Sequence, residues 1–334
     1  MHLRSAPLVR HAWAGPTGGR STAASIEITA MGVAIKRGVL HWVGALLARE
    51  GGGFVAAAVM VVVVLAFRVP SDAAWPTGQE AFCYWFPNLA DPYARADWTQ
   101  PIAYVYSPAF LQGLAGLRAL PWEAFLAVWT ALLVLAVRYL VGPRLWPVAI
   151  AVAAVELLGG NIHLLLAVAI VAGFRWPALW AFVLLTKVTP GVGLLWFAVR
   201  REWRSLGIAL GTTAAIVTVS WVAAPGAWAD WLDVLGASAT KTVGPWAAVP
   251  IPVWLRLPVA IGVVVWGART NRRWTVPVAS MLALPALWFG SSSMLLAAVA
   301  LAVAGTRECR RARARDADGS RPPWRPRFAS IRTG

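Results

Sequence analysis

Charge is what this chain has least of. Only 13% of its 334 residues are Asp, Glu, Lys or Arg, about half of what a water-facing surface normally carries. Lysine occurs at positions 36, 187 and 241 alone, and acidic residues number 14. This scarcity argues against a soluble helical protein with a large core. The two cysteines, Cys83 and Cys309, are expected on opposite sides of a membrane, which disfavours a disulfide, and neither has metal-ligand spacing. There is no P-loop, no Gly-x-Gly-x-x-Gly between strand and helix, and no zinc motif. No internal repeat of the kind transporters carry is evident.

Apolar sequence fills the space. Hydrophobic residues make up 59% of the chain, with 21 Trp among them. Apolar runs recur from about Gly52 to Gly305, so the expected fold class is all-α, a polytopic integral membrane protein. Three regions follow. Residues 1–50 are expected to be a cytoplasmic segment, disordered and then an interfacial helix with Leu40, Trp42 and Val43 on its apolar face. Residues 51–305 are expected to form the multi-span domain, with a first external loop at 69–121 and a further polar loop at about 223–250. Residues 306–334 are a basic tail, expected to be disordered and cytoplasmic. The first long apolar run starts near Phe54, too far in for a cleaved leader, so it is expected to act as an uncleaved anchor.

The net charge of +16 is largely terminal. A basic tail suits nucleic acid or anionic lipid, but it equally sets topology, and the second reading fits the rest of the chain. Six basic clusters fall on one side if every apolar run crosses: Arg37/Arg49, Arg138/Arg144, Arg175, Arg200/Arg201/Arg204, Arg269/Arg272/Arg273 and the tail. That gives about ten transmembrane or re-entrant helices with both termini inside the plasma membrane. The runs at 176–185 and 191–199 are too short to cross upright and suit a re-entrant pair around the break at Lys187.

The opposite face then gathers the polar groups. Glu80 lies in the stretch Gly78-Gln-Glu-Ala-Phe-Cys-Tyr-Trp85. A carboxylate there suits a general base, although a solvated loop glutamate beside interfacial aromatics explains it too. Lys187 interrupts an apolar run beside Thr186 and Thr189, which suits a phosphate group; a lysine snorkelling from a span end is the alternative. Asn161 follows Gly159-Gly160 in a turn, and His163 lies just inside the next helix, as ligand contacts or as turn and packing residues. Tyr84, Tyr104 and Tyr106 suit sugar stacking or a membrane-interface belt. Ser107-Pro108 reads as a helix cap and first turn. Asp72, Asp91 and Asp97 offer oxygen ligands for a possible divalent cation, at spacings that single out no site.

Four stretches in this order resemble glycosyltransferase family 87, the actinobacterial polyprenyl-phosphate-mannose-dependent α-mannosyltransferase group. They are residues 78–85, where the family usually reads Gly-x-Asp-x-x-x-Tyr-Trp; Asp91-Pro-Tyr93 with Tyr104-Val-Tyr-Ser-Pro-Ala-Phe110 and Leu120-Pro-Trp122; Gly160-Asn-Ile-His-Leu164; and Leu185-Thr-Lys-Val-Thr-Pro-Gly-Val-Gly-Leu-Leu-Trp196 with Arg200, Arg201 and Trp203. The resemblance spans roughly residues 52–305. Glu80 stands where the family has Asp, which keeps the carboxylate and lengthens it by one methylene. The resemblance implies a GT-C-type membrane enzyme that moves a hexose, mannose in the first instance, from a polyprenyl phosphate donor to an extracytoplasmic glycan or glycolipid acceptor with inversion. On that reading Glu80 is the base, Lys187 holds the donor phosphate with Lys241 and Arg118 as weaker candidates, and Tyr84, Tyr106, Asn161 and His163 contact sugar or acceptor. A non-catalytic carrier or transporter of lipid-linked sugars is the alternative.

Overall fold

The computed structural model describes residues 48–69, 76–88, 91–94, 96, 103–240 and 249–317, with His41 and Ala45 besides. Lys241, Asp72, Asp97 and most of the expected interfacial helix lie outside the described residues. The chain divides into two compact units, Met1–Gly51 and Gly52–Gly334, and the second holds nearly all of the described residues.

The described residues are helical and contain no strand, only isolated bridges. In order they form α1 (Ala48–Ala66), α2 (Gln79–Trp85), α3 (Pro108–Gly113), α4 (Ala115–Arg118), α5 (Trp122–Val141), α6 (Trp146–Val152), α7 (Ala154–Gly159), α8 (His163–Gly173), α9 (Trp180–Thr186), α10 (Leu195–Val199), α11 (Trp203–Ala223), α12 (Pro225–Thr240), α13 (Val253–Arg269), α14 (Thr275–Leu282) and α15 (Leu295–Ala317). Three 3-10 segments, Pro177–Leu179, Thr189–Leu194 and Phe289–Met294, join some of them.

Four helical stretches among the described residues are long and apolar enough to cross a membrane: Ala48–Ala66, Trp122–Val141, Trp203–Ala223 and Phe289–Arg307. A helix rises about 1.5 Å per residue, so some 20 residues match the hydrocarbon thickness. Their outward faces are apolar. Val55, Val59 and Val62 of α1 and Val219 and Val222 of α11 are all exposed, an arrangement stable against lipid tails and costly against water.

Of the other expected crossings, α8 and α13 are continuous but shorter than those four, and several more are broken. The 145–158 run splits into α6 and α7 at Ala153, and the 276–289 run stays helical only to Leu282. The run after Trp176 breaks at Lys187, as its Thr-Lys-Val-Thr-Pro sequence implies, and resumes as a 3-10 segment with Pro190 in its first turn. Two expectations need correcting. Residues 223–250 were expected to form a loop, but α12 occupies much of that span. Trp228 and Trp231, three apart on one face, donate to the Ser220 hydroxyl at 3.0 Å and the Val105 carbonyl at 3.2 Å, and so dock it. The tail expected to be disordered from 306 is helical as far as Ala317, because its Arg and Ala residues are strong helix formers and simply extend α15.

At the centre lies α8. It is apolar on every side and buried almost throughout, as such a helix must be. It packs against α5, α9, α14, α15 and the 3-10 segment Phe289–Met294. The short α2 packs against α5 and α7, and backbone bonds fix its start. Thr77 bonds back to Phe67 and Val69, its hydroxyl donates to the Val64 carbonyl at 2.6 Å, and the Gly78 amide donates to the Leu158 carbonyl at 2.7 Å.

Gly160 closes α7 in the left-handed region at φ 71, which lets the chain reverse into α8. A Cβ there would lie 2.8 Å from the Ala81 Cβ of α2. Gly160→Ala therefore carries both backbone strain and a clash. We expect it to lower stability by about 1–3 kcal/mol, read as a lower melting temperature in detergent; an unchanged melting temperature would contradict this packing of α2 on the turn.

Candidate active site

The ends of α2, α7, α8 and α9 bring their polar side chains together. At one end of the network stands Glu156, in α7, 2% exposed. Its Oε1 accepts the His163 backbone amide at 2.7 Å, and its Oε2 faces the His163 Nδ1 at 3.1 Å. The other ring nitrogen, Nε2, lies 3.1 Å from the Lys187 Nζ. That ammonium also lies over the Tyr106 ring, 5.6 Å from its centroid. The Tyr106 and Tyr84 hydroxyls meet at 3.1 Å, and the Tyr84 hydroxyl donates to the Asn161 Oδ1 at 3.5 Å. The Asn161 Oδ1 also accepts the Ile162 amide at 2.7 Å.

Glu80, half-buried in the first turn of α2, faces this network. Among the described residues no hydrogen bond or ion pair engages its carboxylate. Burial pushes the Glu80 carboxyl above its ordinary value of 4.5; the Lys187 ammonium opposes that rise and Glu156 adds to it. Lys187 in turn has no ion pair among the described residues. Its direct neighbours are a histidine ring nitrogen and an aromatic face. A carboxylate with free lone pairs thus stands near a cation without a bonded counter-ion.

Local sequence explains the placement. Ser107 caps α3, accepting the Phe110 amide at 3.3 Å, and its hydroxyl donates to the Leu185 carbonyl, so α3 is tied to the last turn of α9. That tie holds Tyr106 beside Lys187. The Tyr93 hydroxyl donates to the Tyr106 carbonyl at 2.7 Å. Tyr84 is enclosed by Tyr106, Phe110 and Trp129, with ring centroids 5.1 to 5.5 Å away. Packed in this way, Tyr84 and Tyr106 offer hydroxyls rather than open ring faces.

Of the residues singled out in the sequence, Lys187, His163, Tyr84, Tyr106 and Asn161 are joined in one network, and Glu80 is coupled to it electrostatically. Arg118 makes its contacts elsewhere: its guanidinium donates to the Trp85 carbonyl at 3.2 Å and to the Pro87 carbonyl, tying down the end of α2. Glu123 pairs with Arg68 at 2.9 Å on the surface. Cys83 is buried and Cys309 exposed, and neither is in a disulfide. No group of three or more His, Cys, Asp or Glu among the described residues could hold a metal ion. Sequence reading overlooked Glu156. It is the lone acidic residue between Glu123 and Glu202, set in an apolar run, and an ionisable group so placed marks function.

An all-helical chain with membrane-length helices and such a polar cluster is a membrane protein with a built internal site. The sequence model of glycosyltransferase family 87 matches residues 104–319, and the chain belongs to that family. It is thus a membrane glycosyltransferase. The match begins after Glu80, so the placement of α2 rests on the geometry alone. No curated protein and no solved structure is similar enough to the chain to add to this assignment.

Because Arg118 fastens α2 through two carbonyls, Arg118→Ala is expected to cost about 1–3 kcal/mol. Thermal unfolding in detergent measures it, and no loss would show that α2 is held without this clamp.

Proposed function

We propose that the chain transfers a hexose, mannose in the first instance, from a polyprenyl phosphate donor to a glycan or glycolipid acceptor on the outer face of the membrane, with inversion. The observation that carries this reading is the pair of uncommitted charges, the Glu80 carboxylate and the Lys187 ammonium. The donor phosphate supplies the counter-charge that Lys187 lacks. An acceptor hydroxyl attacks C1 of the sugar while Glu80 takes its proton. The C1–O bond to phosphate breaks, its electron pair stays on the phosphate oxygen, and polyprenyl phosphate leaves against the Lys187 charge. Asn161 and the Tyr84 and Tyr106 hydroxyls provide polar contacts for the sugar. Lys241 is a secondary candidate for the phosphate, whereas Arg118 is committed to the carbonyls at the end of α2.

A cleft of about 440 Å³ supports the lipid part of this reading. It is lined by Thr189, Val192, Leu195, Leu206, Leu257 and Ile261, among others. Thr189 lies two residues beyond Lys187 in the chain, and the apolar lining of the cleft suits a prenyl chain.

The test is labelled mannose transfer from polyprenyl phosphate mannose in membranes carrying the wild-type chain or Glu80→Gln. Wild type is expected to form product, and the variant to lose about a hundredfold or more of the rate. Activity retained in the variant would remove Glu80 as the base. Flux of the lipid-linked sugar without product would favour the carrier.

The pH profile gives a second check. A base must be ionised, and burial raises the value at which Glu80 ionises. Activity should therefore fall as pH drops through a midpoint above 4.5, and an acid limb at or below 4.5 would contradict the buried setting of Glu80.

A further inference from the structure

Lys187 can serve a phosphate only if it stays charged and aimed, and the geometry behind it explains how. Glu156 uses both carboxylate oxygens on His163, one on the backbone amide and one on Nδ1. A ring nitrogen 3.1 Å from a carboxylate oxygen carries a proton. The opposite nitrogen, Nε2, then has either a lone pair or a second proton. It lies 3.1 Å from an ammonium, which has donors only, so a second proton would set donor against donor. Beside a charged Lys187 the ring is therefore neutral, with its proton on Nδ1.

We propose that Glu156 is a positioning residue: it fixes His163 in the Nδ1-protonated tautomer, so that Nε2 takes one N–H of Lys187 and leaves the others for an anionic oxygen. The functional half of this proposal rests on the reading that Lys187 binds the donor phosphate. Two further observations support a built arrangement. All of the His163 side chain is buried, so water cannot substitute for either partner. Gly290 also lies against the Glu156 Oε2, and a Cβ at that position would be 2.6 Å from it.

The chemistry separates Glu156 from its amide. Two donors converge on Glu156, and glutamine has one acceptor oxygen. In Glu156→Gln either the backbone amide or Nδ1–H meets an NH2 group. The ring can escape by moving its proton to Nε2, where it points at Lys187 and pushes the ammonium away. Glu156→Asp keeps both acceptors and should retain part of the arrangement.

Nitrogen-15 NMR of histidine-labelled full-length protein in nanodiscs reads the tautomer directly. The other histidines, His2, His11 and His41, are first replaced by glutamine, leaving His163 as the sole signal. The expected spectrum at neutral pH shows a protonated Nδ1 and an unprotonated Nε2, with the proton displaced in Glu156→Gln. A proton on Nε2 or on both nitrogens in the wild-type ring would overturn the proposal.

Binding of undecaprenyl phosphate to the same nanodiscs supplies the functional readout without turnover. It should weaken about tenfold or more in Glu156→Gln, as a displaced binding group costs, and recover in part in Glu156→Asp. Equal binding by wild type and Glu156→Gln would also overturn the proposal. Should the wild-type chain bind undecaprenyl phosphate yet transfer no mannose, the proposed function fails while the positioning role stands.

Discussion

The constraint on which the site depends is a lysine ammonium held away from bulk water without a directly bonded carboxylate. Taking a charge out of water costs several kcal/mol unless something nearby offsets it. Here the offset is indirect. His163 contributes a lone pair, Tyr106 a ring face, and Glu80 and Glu156 act at longer range. Had either carboxylate bonded Lys187 directly, the cation would be neutralised and would have little to offer an anion. The layout keeps the charge stable enough to exist and incomplete enough to bind.

The fold serves that layout through its breaks rather than its spans. The long helices α1, α5, α11 and α15 present apolar faces outward. The polar residues sit where helices stop: Lys187 just past α9, Asn161 and His163 where α7 turns into α8, Glu80 at the start of α2. A helix end exposes backbone groups that need partners, so polar side chains there are satisfied more cheaply than in mid-helix. Gly160 permits the turn between α7 and α8, and its carbonyl accepts the Trp129 indole N–H at 2.7 Å, which fastens the turn to α5.

Much of this could be read in the sequence. Four of the apolar runs became helices of membrane length, and the break at Lys187 and the Ser107 cap lie where their residues place them. The grouping of Lys187, His163, Asn161, Tyr84 and Tyr106 was also legible, because each interrupts or borders an apolar run. What could not be read depends on long-range packing. Nothing local says that Trp228 and Trp231 would find partners and make α12 a helix, nor that Arg118 would spend its donors on carbonyls. Glu156 is a different case. Its signal is present in the sequence, a single carboxylate in an apolar run. The catalytic base and the lipid phosphate are readings that the geometry supports through charge, and the family match covers the chain beyond α2.

The most direct test of the account is a structure of the full chain in nanodiscs with a non-transferable polyprenyl phosphate mannose analogue bound. The account predicts the analogue's phosphate within hydrogen-bonding distance of the Lys187 Nζ, and Glu80 on the side of C1 opposite the phosphate. A phosphate seated away from Lys187, or a sugar whose C1 turns away from Glu80, would contradict it.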